Sequence, residues 1–143
     1  MPATEENKVS LEANKQLVRR FYAAIEKGDF DALNDMVHDD FVFYSQVDNP
    51  RPGVQGLMES EKPSFDAFDS FIFPIDTLVA EGDKVAAYMR FEGKGYRTDI
   101  LGVPPRGQNV RISLMMLLTF KDGKIVEKRA HFDTGDIRRQ LAS

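Results

Sequence analysis

Apolar residues recur at Leu17, Val18, Phe21, Tyr22 and Ile25, spacings of three and four that form one stripe of a helix. Ser10 stands where an N-cap is wanted, which predicts a helix over about residues 11–27. Gly28 ends it, Asp29 can cap a second helix, and Phe30, Leu33, Met36 and Val37 give that shorter helix an apolar face. After His38-Asp39-Asp40, the ring-rich run Phe41-Val42-Phe43-Tyr44 reads as a strand. Asn49-Pro50-Arg51-Pro52-Gly53 then forces a loop, and a third helix is predicted over about 54–68, with Pro63 in its middle.

From there the period shortens to two. Residues 71–80 are rich in strand formers but interrupted by Pro74, the mark of an edge position or a bulge. Glu81-Gly82-Asp83 turns this run into a strand over 84–92. A Gly- and Pro-rich loop over 93–107 leads to a strand over 110–120, and Lys121-Asp122-Gly123-Lys124 makes a tight turn into 125–132. Asp133 or Thr134 then caps a last short helix ending near Leu141. Helices followed by a meander of strands predict an α+β domain, helices on one face of a curved antiparallel sheet. That domain is placed at 10–143, after a polar and disordered tail at 1–9.

One strand breaks the alternation. Met115 and Leu117 lie on one of its sides and Leu114, Met116 and Leu118 on the other, so both faces should be covered. The outer cover is read as a second copy in a homodimer, against the alternative of the chain's own terminal helix.

Composition narrows the function classes. A chain of 143 residues should bury about 70% of its unfolded surface and needs no staples. It has no Cys, which removes disulfides, thiolate metal sites and cysteine nucleophiles. A net charge of −4 speaks against nucleic acid or an anionic membrane as partner. The first nine residues carry no signal-like apolar run, and the apolar stretch 114–118 is too short to span a bilayer, so a cytoplasmic location is expected. Eleven Phe and four Tyr with no Trp make a core of rings that mostly lack a polar handle, suited to an apolar pocket. There is no phosphate-binding loop and no nucleophile elbow, and two distant histidines make no zinc site, so no cofactor and no metal is expected.

Three segments together, Arg20-Phe21-Tyr22-Ala23-Ala24-Ile25-Glu26-Lys27-Gly28-Asp29-Phe30-Asp31-Ala32-Leu33, Leu101-Gly102-Val103-Pro104-Pro105-Arg106-Gly107 and Phe120-Lys121-Asp122-Gly123-Lys124-Ile125-Val126-Glu127, resemble the SnoaL-like polyketide cyclases. These belong to the nuclear transport factor 2-like superfamily. The resemblance implies a cone, a cystatin-like α+β barrel in which a curved sheet wraps around helices and encloses a pocket, with dimers packed through the sheet. It also implies ring closure by an aldol step, which needs an acid/base group beside a carbonyl. The family pattern His-Trp-Asp after Ile-Val-Glu is here Lys128, Arg129 and Ala130, and a frequent upstream His aligns with Tyr96. In the ketosteroid isomerases of the same superfamily a Tyr and an Asp are needed where this chain has Phe21 and Ser45.

The candidate chemistry is therefore sought elsewhere. His131 and Asp133 share a strand face with Arg129 and can form an oriented acid/base pair, or can lie on the outer face as ion pairs and a helix cap. Tyr88, Arg90 and Glu92 share one face of the middle strand, opposite Val85, Ala87, Met89 and Phe91. If the pocket lies on that polar side, Arg90 can hold an oxygen and Tyr88 or Tyr44 can donate to it. The expected catalytic set is His131, Asp133, Arg90 and Tyr44, and the expected ligand-binding set is Phe21, Tyr22, Phe43, Tyr88, Tyr96 and Met115. His38, beside two aspartates, is read as a local structural contact. The function expected is a cofactor-independent cyclase, isomerase or lyase acting on a small apolar, oxygenated molecule. The alternative is a non-catalytic binding dimer, favoured by Ala130.

Overall fold

The computed structural model describes residues 5–143, with side chains from Lys8 onward. Its elements are α1 (Glu5–Lys27), a 3-10 turn (Phe30–Asp35), β1 (Val37–Tyr44), β2 (Pro50–Pro52), α2 (Gly53–Asp66), β3 (Phe68–Ile72), β4 (Ile75–Glu81), β5 (Lys84–Tyr96), β6 (Val110–Lys121), β7 (Lys124–His131) and α3 (Thr134–Ala142). Seven strands form one curved, unclosed sheet in the order β2-β1-β7-β6-β5-β3, with β4 also on β5. The class is α+β. Among the described residues no helix is long and apolar enough to cross a membrane.

The apolar stripe of α1 is buried at Leu17, Val18, Phe21, Tyr22 and Ile25 and packs on the concave side of the sheet. The inner face of β5 is Val85, Ala87, Met89 and Phe91, and that of β6 is Val110, Ile112, Leu114, Met116, Leu118 and Phe120, all buried. Each Phe in that layer contributes roughly 2 kcal/mol by leaving water. The antiparallel β5-β6-β7 meander is the expected one. Its last turn carries positive φ at Asp122 (55°) and Gly123 (76°), as a tight hairpin requires.

Several local expectations are corrected. Helix α1 begins at Glu5, so Ser10 lies inside it and residues 5–9 are helical; positions 1–4 of the expected tail lie outside the described residues. The second helix is only a 3-10 turn, without a capping bond from the Asp29 side chain, because Val37 is drawn into β1 opposite Ile125. The pairing of β1 with β7 is parallel. Two prolines of the expected loop form β2, tolerated because this strand lies at the sheet edge. Pro74 splits the predicted 71–80 strand into β3 and β4, both paired with β5, with a register shift between Ile75 and Thr77. Strand β5 continues to Tyr96, past the expected end at Glu92. Gly93 permits this: a Cβ there would stand 2.8 Å from the Phe68 ring.

Helix α3 does not cover the outer side of β6. Its Gln140 bonds both the amide and the carbonyl of Arg111 near the strand's start, and Met115 stays 48% exposed.

Candidate functional site

A cavity of about 100 Å³ lies between α2 and the inner face of the sheet. One wall is a cluster of rings, Phe65, Phe68, Phe73 and Phe91, whose neighbouring centroids stand 5.3–6.4 Å apart in tilted, stacked and edge arrangements. Ile112, Leu114 and Met116 form the floor. The partly exposed Ser45, Ile100, Phe132 and Ile137 form the rim. The loop after Ile100 is tied to α3, which carries Ile137: Arg106 Nη2 and Gln108 Nε2 donate to the Leu141 carbonyl, and Arg138 Nε donates to that of Leu101.

Glu61 is the ionisable residue that lines this cavity, with Ser45, Ser60 and Ser64 as its hydroxyl companions. It stands four residues from both Leu57 and Phe65, which are buried, so helical geometry turns it to the same apolar side. Pro63 removes one backbone donor in the same turns of α2. Behind Glu61 lies Lys128, fully buried, whose Nζ donates to Glu61 Oε1 at 3.1 Å. The ammonium also sits 4.6 Å from the Phe43 ring centroid and 5.7 Å from that of Tyr22. The Tyr22 hydroxyl is buried without a hydrogen-bond partner. Burial, and then the charge of Glu61, hold it well above the usual tyrosine range.

The irregularity between Thr119 and Phe120 sets which residues of β7 turn inward. Lys128 and Ala130 are buried, while Glu127, Arg129 and His131 face out. This corrects the placement expected for most candidate residues. His131 is exposed and stands opposite Met115 on the outer face. Asp133 accepts from the Asp136 amide as the cap of α3 and pairs with Arg139 at 3.5 Å. The two form no acid/base pair in the cavity. Arg90 lies outside, between Asp76 at 3.6 Å and Glu92 at 3.5 Å. Tyr44 carries the Arg129 guanidinium 4.0 Å over its ring, and Arg129 in turn pairs with Glu127. Tyr88, 45% exposed, and Met115 are outer-face neighbours.

Of the ligand-binding candidates, Phe43 lines the cavity. Phe21 is core beneath the Tyr22 ring and does not reach the cavity. Tyr96 is buried, but its hydroxyl serves the loop, donating to the Val103 carbonyl at 2.9 Å and accepting from the Ile100 amide. His38 accepts from the Asp40 amide at Nδ1 and faces Asp122 with Nε2, a contact between β1 and the last hairpin. Sequence reasoning passed over Glu61 and met Lys128 only as a departure from the expected family pattern. The signal for Glu61 was available: one charged residue in register with Leu57 and Phe65. Among the described residues no group of three His, Asp or Glu is placed to hold a metal ion.

The family model of the SnoaL-like polyketide cyclases matches residues 15–141. The chain belongs to this family. Solved structures of similar shape include TsrD from Streptomyces laurentii, 26% identical, covering 92% of this chain and 97% of its own, with a TM-score of 0.79. AclR from Streptomyces galilaeus is 25% identical over 92% of this chain and 96% of its own, TM-score 0.80. A structure assigned to the SnoaL-like polyketide cyclases, from Jannaschia sp., is 20% identical over 100% and 98%, TM-score 0.84. The fold is that of the nuclear transport factor 2-like proteins. A search of curated proteins finds no match. Lys128 and Ala130, at the positions where the resemblance implied His and Asp, both face inward.

Proposed function

We propose that this SnoaL-like protein is a cofactor-independent acid/base enzyme, an isomerase or aldol cyclase, acting on a small apolar, oxygenated, polyketide-like molecule. The observation that carries this reading is a carboxylate, Glu61, set into a cavity otherwise lined by rings, aliphatic side chains and three serines. An apolar pocket with few convergent polar groups is suited to a ligand of that class. Glu61 takes over the part that Ala130 cannot play. Its carboxylate removes a proton from a carbon next to a carbonyl, and the C–H electrons form the enolate. The enolate carbon then attacks a second carbonyl, closing a C–C bond, and the resulting alkoxide recovers the proton from Glu61. In an isomerase the proton returns to another carbon instead. Lys128 positions the carboxylate and balances its charge.

Ala130 favours a second reading, a cavity that binds without turning over. α-Tetralone, an apolar ketone with exchangeable hydrogens beside its carbonyl, separates the two. Native protein in deuterated buffer is expected to bind it and to exchange those hydrogens faster than buffer alone. Binding without faster exchange supports the second reading, and no binding overturns both. The outer face, where Tyr88 and Met115 are neighbours, is the surface proposed to meet a second copy of the chain.

A further inference from the structure

One hydroxyl of the cavity is arranged as a donor without an acceptor among the described residues. Phe41 and Phe43 turn inward along β1, and Ser45, just past the strand's end, lines the cavity as the next inward position, about 7 Å beyond Phe43. Its Oγ accepts from Asn49 Nδ2 at 2.8 Å, and none of the described residues takes the proton of its own hydroxyl. An amide that donates into a hydroxyl oxygen polarises the O–H and strengthens it as a donor. Ser60 and Ser64 also line the cavity, but they stand in α2, where a serine hydroxyl can turn back to the carbonyl four residues earlier.

Glu61 and Ser45 face the same cavity from two elements that pack together, α2 and the end of β1. The path between them is short. Lys128 donates to Glu61 at 3.1 Å, and its ammonium lies 4.6 Å from the ring of Phe43, two residues before Ser45. When a carboxylate takes a proton from the carbon beside a carbonyl, the C–H electrons move onto the carbonyl oxygen, and an oxyanion in a ring-lined cavity is costly without a donor. We propose that Ser45 holds the carbonyl oxygen of an aryl ketone whose ring lies against the Phe65, Phe68, Phe73 and Phe91 wall. Ser45 donates to that oxygen as the ketone becomes an enolate and keeps its own proton, and Asn49 is the positioning residue that fixes the hydroxyl. This rests on Glu61 as the base.

α-Tetralone labelled with carbon-13 at its carbonyl tests the contact and its effect together. Bound to native protein, the labelled carbon is expected to resonate downfield of its position in Ser45→Ala, because a hydrogen bond at the oxygen draws electron density from the carbon. Deuterium exchange beside the carbonyl is expected to slow about tenfold or more in Ser45→Ala, at saturating ketone rather than through affinity. Ser45→Thr keeps the hydroxyl and is expected to keep the resonance and most of the rate. Asn49→Ala leaves the hydroxyl unoriented and is expected to lose part of each. A native rate in Ser45→Ala, or a slower rate with an unmoved carbonyl resonance, overturns Ser45 as the oxygen donor and leaves Glu61 as base untouched. A native rate in Glu61→Gln, or native protein no faster than buffer, overturns the base and this subsite with it.

Discussion

Tyr22 and Lys128 show how a few buried polar atoms are managed in a core made of rings. Tyr22→Phe removes an unsatisfied hydroxyl and keeps the ring contacts with Phe21 and Phe73, so it is expected to stabilise the fold by about 1 kcal/mol, read from the denaturant midpoint. The same residue sets an alkaline limit. Below about pH 10 the hydroxyl is neutral in folded and unfolded chains and adds no pH dependence. Above it the unfolded chain ionises while the folded one resists, so stability falls with rising pH, by up to about 1.4 kcal/mol per unit. Melting curves between pH 9 and 11 should show this slope in the native chain and its loss in Tyr22→Phe. Lys128→Met leaves Glu61 unpaired and is expected to cost about 3–5 kcal/mol, whereas Glu61→Gln with Lys128→Met should recover most of it. The side-chain alternation that puts Arg129 and His131 on one face was legible in the sequence, whereas Asp133 lies beyond the strand's end as the cap of α3. Which face that was could not be read, because parity orders neighbours relative to one another and says nothing of inside and outside.

Among the elements, legibility followed the range of the forces involved. Helix α1, the β5-β6-β7 meander and the Asp122-Gly123 turn rest on local periodicity and turn chemistry, and they were readable. The parallel pairing of β1 with β7 and the two-proline edge strand β2 depend on partners far away in the chain, which no local pattern encodes. The extension of β5 through Gly93 belongs to the same group, and it shapes the cavity, since Phe68 fills the space a side chain would take. Gly93→Ala must displace that ring and is expected to cost about 1–3 kcal/mol and to weaken α-tetralone binding, both measurable by titration calorimetry and melting. The candidate site suffered most from this limit. Glu61 is brought to Lys128 across a separation of 67 residues, and only the finished packing of α2 on β1, the neighbour of β7 in the sheet, shows that the two meet.

For the molecule as a whole, the family and the curved-sheet fold were legible from three motif blocks, while the proposed site uses other residues than those the sequence suggested. The proposed base, Glu61, lies on the concave side, and His131 lies on the outer face opposite Met115. The outer face, where Tyr88 and Met115 are exposed, is the surface proposed to meet a second copy. Met115→Glu is expected to shift sedimentation toward the monomer with the fold intact, and an unchanged sedimentation profile would count against a dimer through this face. Whether Glu61 is the base is decided by the rate at which α-tetralone exchanges its carbonyl-adjacent hydrogens, followed by proton NMR in deuterated buffer, for Glu61→Gln beside His131→Ala. With Glu61 as the base, Glu61→Gln is expected to lose about 100-fold or more and His131→Ala to keep the native rate. A native rate in Glu61→Gln, or a comparable loss in His131→Ala, would contradict it.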